Sequence, residues 1–247
     1  MNKKTKKIII LIFMIICFIG TVYYSYKVFT WKKAVNENIE ILNEINGYVI
    51  IKPDEKVDEK KYNIDFKSLK KKNSDTVAFL KVNNTKINHI VVKGKDNDYY
   101  LHHNFNKQYN IAGWVFADYH NKFDLKDKNI VIYGHNMRNG TMFGTLRTVV
   151  TSEWYKNKKN HLIDFVTESG EYTYQVFSVY TIKSEMYYIN TKFKDNKEFN
   201  KFVNTIKSRS IHNFNVKVDG SDQILTLSSC YSAGRRVVLH AKLVKNK

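Results

Sequence analysis

The chain has 247 residues, 43% hydrophobic and 26% charged, with 41 lysines and arginines against 23 acids and a formal net charge of +18. That length allows one sizeable core with appendages and argues against a second full domain. Ten glycines, one proline and two cysteines exclude a collagen-like chain and a disulfide framework, and the apolar fraction excludes wholesale disorder.

Lys3, Lys4, Lys6 and Lys7 precede an uncharged run from Ile8 to Tyr26. Nineteen helical residues reach roughly 29 Å, about one hydrocarbon core. Lysines on the amino side hold that end in the cytoplasm and send the remainder outside. Tyr23, Tyr24, Tyr26 and Trp31 read as an interfacial belt on the outer side. A cleaved signal peptide needs a shorter apolar region and a small-x-small cleavage site, neither of which is evident. Cys17 is not in a lipobox, because Met14, Ile15 and Ile16 precede it. The expectation is a cytoplasmic tail over 1–7 and an uncleaved single-pass signal anchor over 8–29, with the membrane as a partner.

Outside the first thirty residues the chain carries 36 basic and 23 acidic side chains. A surface of that sign is attracted to anionic lipid or anionic wall polymer, and an outward-facing domain has little access to nucleic acid, so no nucleic-acid partner is expected.

Residues 30–72 read as a polar stalk with a helical segment. Val35, Ile39, Leu42 and Ile45 are spaced for one helix face, and Gly47 is a stop signal. "PDEKVDEKKYN" reads as a linker, and "FKSLKKKN" as one or two further helical turns.

From 73 to 247 the pattern turns to strands. "TVAFLKV", "INHIVVKG", "AGWVFADY", "KNIVIYGH", "HLIDFV", "EYTYQVFSVYTIK", "DQILTLSSC" and "RRVVLHAKLV" are short, rich in β-branched and aromatic residues, and bounded by Asn, Asp and Gly. Eight such segments predict a mostly β fold, a closed or nearly closed eight-stranded barrel. Between the sixth and seventh, "DNKEFNKFVNTIKSRS" puts Phe199, Phe202, Val203 and Ile206 on one helical face behind Asp195 as N-cap. That predicts a helix inserted between two strands.

Cys17 in the span and Cys230 outside it cannot bridge, so Cys230 is a single exported thiol, either inert and buried, bridged to another chain, or reactive. Alternation places Leu225 and Leu227 on one face of their strand, and Thr226, Ser228 and Cys230 on the other, more polar one. In the next strand Arg236, Val238, His240 and Lys242 share a face, while Arg235 falls in phase with the apolar side. Residues 231–235 are short enough for a hairpin. Cys230 thus leaves one strand end where Arg236 enters its neighbour. A reactive thiolate needs such a cationic neighbour and a proton carrier. Of the eight histidines, His135 follows "NIVIYG" at a strand terminus, where reactive side chains gather. His102 and His103 repeat no metal-ligand spacing and read as surface residues, and His240 reads as a packed or outward strand residue.

"TLSSC" followed by "RVVLH", with "VIYGHN" some ninety residues upstream, resembles the sortase family of cysteine transpeptidases. The inserted helix and the helical segment before the first strand resemble its class B branch, as do "KDNDYYL", "FADYHN" and "GHNMRNGTMFGTL". Ser229 stands where the family usually has threonine, which keeps the hydroxyl and loses a methyl.

The resemblance implies a catalytic barrel over 73–247 in which Cys230 attacks a Thr-Gly or Thr-Asn type carbonyl, His135 carries the proton and Arg236 faces the developing oxyanion or the substrate backbone. It implies secreted proteins with a C-terminal sorting motif as substrates, and a peptidoglycan precursor or wall-peptide amine as acceptor. Tyr133, Ser184, Tyr188, Ile189 and Ser228 are implied as substrate contacts, with no cofactor and no metal. Three other readings stand beside it: a pilin-polymerising sortase, a non-catalytic membrane-anchored binding module, and a papain-like hydrolase. The last is disfavoured because His135 precedes Cys230.

Overall fold

A computed structural model of the chain describes residues 2–52, 61–123, 126–183, 185–230 and 234–246, with only the main chain at 230, 245 and 246. The first element, α1 (Lys3–Asn46), begins at Asn2, whose side chain accepts from the Lys4 amide, and contains the exposed apolar run. From Thr21 to Asn46 there is neither glycine nor proline, so the predicted span and the predicted helix at Val35 to Ile45 form one uninterrupted rod. Its outer half is not a free stalk. Ala34, Val35, Asn38, Ile41 and Ile45 are buried against the barrel, at spacings of one helix face. Asn38 Nδ2 donates to Gly113 O at 2.9 Å, and Asn110 Nδ2 donates to Ala34 O at 2.9 Å.

The expected linker ends in regular structure. β1 (Val49–Ile51) and β2 (Tyr62–Ile64) pair antiparallel, while 53–60 lie outside the described residues. Three-residue strands carry too little alternation to be seen in sequence. This pair is fixed from elsewhere, by the Glu171 carboxylate accepting from the Lys61 and Tyr62 amides at 3.0 and 2.9 Å. α2 (Phe66–Lys72) follows, capped by Asp65 on the Ser68 amide at 2.9 Å, with Phe66 and Leu69 buried.

All eight predicted strand segments become barrel strands: β3 (Thr76–Val82), β4 (Asn88–Val92), β5 (Phe116–Ala117), β6 (Asn129–Gly134), β7 (Leu162–Thr167), β8 (Gly170–Lys183), β9 (Ile224–Cys230) and β10 (Arg235–Asn246). The barrel closes in the order β10-β8-β7-β3-β4-β5-β6-β9. β5 is the shortest, because most of "AGWVFADY" runs as irregular chain. The pairs β4–β5 and β6–β9 are parallel, and the other barrel pairs are antiparallel.

α3 (Ser152–Lys156) lies between β6 and β7. α4 (Asn196–Ser208) is the inserted helix between β8 and β9, capped by Asp195 on the Glu198 amide at 2.8 Å. It buries Phe199, Val203 and Ile206 against Phe177, Tyr180 and Val238 on the outside of the barrel.

That second core covers the more polar face of β9 and β10. Thr226, Ser228 and His240 are all buried beneath the inserted segment. Their polar atoms are satisfied there. His240 lies 2.8 Å from Thr226 Oγ1 and 2.9 Å from Tyr180 OH, and Thr226 Oγ1 donates to Asn129 Oδ1 at 2.6 Å. Arg235 opens β10 and is exposed, so its phase with the apolar side costs nothing.

Candidate active site

Two strand pairings bring distant parts of the chain to one end of the barrel. β6 runs parallel to β9 with Tyr133 opposite Ser228 and Gly134 opposite Ser229. β9 runs antiparallel to β10 with Cys230 opposite Arg236. His135, one residue beyond β6, therefore lies at the same end as the last residue of β9 and the start of β10.

A cavity of about 180 Å³ opens there, lined by Tyr133, Gly134, His135, Ile189, Ser228 and Arg236. Asn97, Leu101, Phe116 and Met186 complete its wall. Five of the residues named from sequence thus share one pocket. Tyr188 is not on its surface. It is buried behind it, with its hydroxyl 2.9 Å from Ser228 Oγ. Ser184 lies outside the described residues.

Gly134 sets the exit of β6. A Cβ on this residue would come within 2.6 Å of the Phe143 ring, so close packing, rather than an unusual backbone angle, requires glycine there. His135 is half-buried, and its Nε2 lies 2.8 Å from Leu101 O. A carbonyl oxygen only accepts, so Nε2 carries the hydrogen and Nδ1 is left as the basic nitrogen. Burial lowers the imidazole pKa below its ordinary value, the Leu101 carbonyl opposes that shift, and His102 adds to it. The resting ring is neutral at neutral pH.

Beside the pocket stands a carboxylate that strand alternation did not single out. Asp118 is only 2% exposed. Its Oδ2 accepts from Tyr133 OH and from Asn97 Nδ2, both at 2.8 Å, and its Oδ1 accepts from the His120 amide at 2.9 Å. His120 Nδ1 also lies 2.8 Å from Oδ1. Burial, and then the Asp118 charge, push the Tyr133 phenol well above its usual range, so it stays a neutral donor. Two pocket-lining side chains are thereby oriented by one buried acid. Asp118 and Asn97 were present in "FADYHN" and "KDNDYYL", but no spacing rule marks an acid that acts through a distant tyrosine.

Neither member of the adjacent histidine pair lines the pocket. His102 is exposed, and His103 stacks on Tyr99 with ring centroids 3.9 Å apart. Among the described residues no three His, Cys, Asp or Glu side chains cluster as metal ligands.

The site combines a thiol-bearing position, a neutral imidazole with Nδ1 available, and a guanidinium around a pocket with apolar walls. That is the equipment for acyl transfer through a covalent intermediate.

The sortase domain family model matches residues 80–244. The chain is 38% identical over 187 residues to Sortase B of Listeria monocytogenes, covering 73% of this chain and 74% of that protein. Its fold matches sortase B from Bacillus anthracis in complex with AAEK1, with a TM-score of 0.74 and 31% identity over 86% of this chain and 99% of that one. It also matches a Staphylococcus aureus sortase B–substrate complex, with a TM-score of 0.68 and 34% identity over 73% of this chain and 84% of that one.

Proposed function

The chain belongs to the sortase family and is a transpeptidase like the class B enzymes it resembles, and from that premise we propose that it is a membrane-anchored cysteine enzyme that cuts a C-terminal sorting signal and passes the acyl group to a cell-wall amine. In this reading 1–7 form a cytoplasmic tail, 8–29 the anchor, 30–72 the helical connection and 73–247 the catalytic barrel. The apolar, exposed first half of α1 supports the anchor. The observation that carries the enzymatic assignment is the meeting of His135 and Arg236 on one pocket, at the end of the strand pair where Cys230 faces Arg236 in register.

The chemistry follows from the tautomer. Neutral His135 takes the thiol proton on Nδ1, and the Cys230 sulfur attacks the scissile carbonyl carbon. The oxyanion that forms is faced by the Arg236 guanidinium, a permanent charge with fixed donors. The carbon–nitrogen bond breaks, the imidazolium returns its proton to the departing amine, and a thioester remains on Cys230. An incoming amine attacks that thioester, Nδ1 accepts its proton, and the thiol is regenerated as the new amide forms. A thioester conserves the acyl-transfer potential of the cleaved bond, so no nucleotide is required outside the membrane. Tyr133, Ile189 and Ser228 are the substrate contacts of the pocket, with Tyr188 holding Ser228 from behind and Ser184 as a further contact. No cofactor takes part in this scheme.

The test is a peptide-library cleavage assay with the full chain in detergent micelles, read by mass spectrometry for an acyl adduct on Cys230. The expected result is one adduct mass per cleaved motif, and its transfer to a short glycine or wall-peptide amine. A folded protein that acylates with no peptide of the library would overturn the assignment.

A further inference from the structure

A second, larger cavity of about 730 Å³ joins the catalytic pocket, and the two share Asn97, Met186 and Ile189 on their walls. From that junction it runs between the chain at 189–193 and the outer side of α4, which contributes Glu198, Lys201, Phe202 and Thr205. Glu198 to Thr205 is seven helical steps, roughly 10 Å, which an extended peptide covers in about three residues.

The walls have a definite chemistry. Ile189, Phe193 and Phe202 supply partly buried apolar surface. Of the acids on the walls, Asp118 is buried and holds Tyr133 and Asn97, while the Glu198 carboxylate accepts from the Lys194 amide at 2.6 Å. Lys192 and Lys201 are exposed and, among the described residues, enter no ion pair. The groove therefore offers an apolar floor flanked by two lysines outside any ion pair among the described residues, with the Glu198 carboxylate turned onto the Lys194 amide at one end of α4.

Direction follows from the site. His135 and Arg236 belong to the small pocket and not to the larger groove, whereas Asn97, Met186 and Ile189 belong to both. A peptide whose scissile carbonyl is at Cys230 and whose acyl side fills the small pocket leaves it in the amino-terminal direction across that shared wall.

We propose that this groove binds the client residues immediately upstream of the sorting motif, selecting an apolar side chain followed outward by an acidic one. The proposal rests on the transpeptidase reading of the small pocket and extends its specificity beyond the motif.

The full chain is assayed in micelles with peptides that carry the library-selected motif, either bare or lengthened upstream by about three residues. The upstream residues are apolar-acidic, apolar-basic or glycine-serine. The apolar-acidic extension is expected to raise kcat/KM about ten-fold over the bare motif, as one apolar side chain leaving water warrants. It should exceed the apolar-basic extension about three-fold at low salt, a preference that shrinks as salt screens it. In Lys192→Glu/Lys201→Glu the order of acidic and basic extensions should reverse. Rates indifferent to upstream residues while the bare motif is processed overturn the groove assignment and leave the transpeptidase intact. A gain found only on lengthening the departing, carboxyl-terminal side assigns the groove to the leaving segment and equally overturns it. A bare motif that never acylates Cys230 takes down both readings.

Discussion

His135 donates from Nε2 to the main-chain oxygen of Leu101 at 2.8 Å, and this single bond fixes which ring nitrogen is left for chemistry. Burial disfavours the imidazolium, holding the pKa below the ordinary 6.5. In the proposed mechanism the neutral ring accepts the thiol proton, so activity is expected to require a pH above that lowered value. The acid limb of kcat/KM, followed with a fluorogenic motif peptide, is expected below pH 6.5. A limb above pH 7 would show that the free enzyme works from a different protonation state.

Arg236 and Cys230 are cross-strand partners, and in an antiparallel pair such residues stand about 5 Å apart on one face of the sheet. Arg236→Ala should lower kcat by about 10² to 10³, the range for loss of one oxyanion donor. Arg236→Lys keeps the charge but loses the planar fork, so it should recover only part of that loss. Cys230→Ala should form no adduct in intact-mass spectra. Equal kcat for Arg236→Ala and the native chain would remove Arg236 from the mechanism.

Much of this architecture was legible because strands announce themselves by alternation and by their turn residues. The eight barrel segments, the inserted helix and its Asp195 cap could be read that way. The candidate pocket was legible where its walls come from strand ends, at His135 and Arg236. Alternation alone does not say which side is wet. Thr226 and His240 alternate as a polar face yet lie under α4, because a polar network of four side chains satisfies them there. Short or non-local elements were not legible. The β1–β2 pair is held by Glu171 from more than a hundred residues away, and the Leu101 carbonyl reaches His135 from a single 3-10 turn, Tyr99–Leu101.

Tyr133 OH and Asn97 Nδ2 share one oxygen of the buried Asp118. Removing a hydroxyl from such a cluster leaves a buried carboxylate with one donor fewer. Tyr133→Phe should therefore cost about 1–3 kcal/mol in urea unfolding, more than loss of a surface hydroxyl would. Asp118→Asn keeps the shape but removes the charge, and it should raise KM for motif peptides more than it lowers kcat, since Asp118 orients pocket walls without touching the reacting atoms. A Tyr133→Phe protein as stable as the native chain would mean that Asp118 is satisfied without the phenol.

His240 and His89 are fully enclosed, and burial drives their pKa values down to about 3 and about 4. Thr226 Oγ1 donates to Asn129 Oδ1, so His240 Nδ1 must donate to Thr226 and Nε2 must accept from Tyr180. Protonating the ring would turn Nε2 into a donor and force the Tyr180 hydroxyl to reverse its bond. Unfolding releases each histidine to titrate near 6.5, so between that value and the folded one the unfolded chain binds more protons. Stability is then complete above pH 6.5 and declines as the pH falls, by about 1.4 kcal/mol per pH unit for each group, or roughly 2 kcal/mol each by pH 5. Urea midpoints measured from pH 7.5 to 4.5 should follow that slope. Replacing His240 with Gln should make the protein less stable at pH 7.5, because the amide reproduces the bonds imperfectly, and should reduce the slope by about one proton's worth. If the slope of His240→Gln equals that of the native chain, the buried ring is not the group that resists protonation.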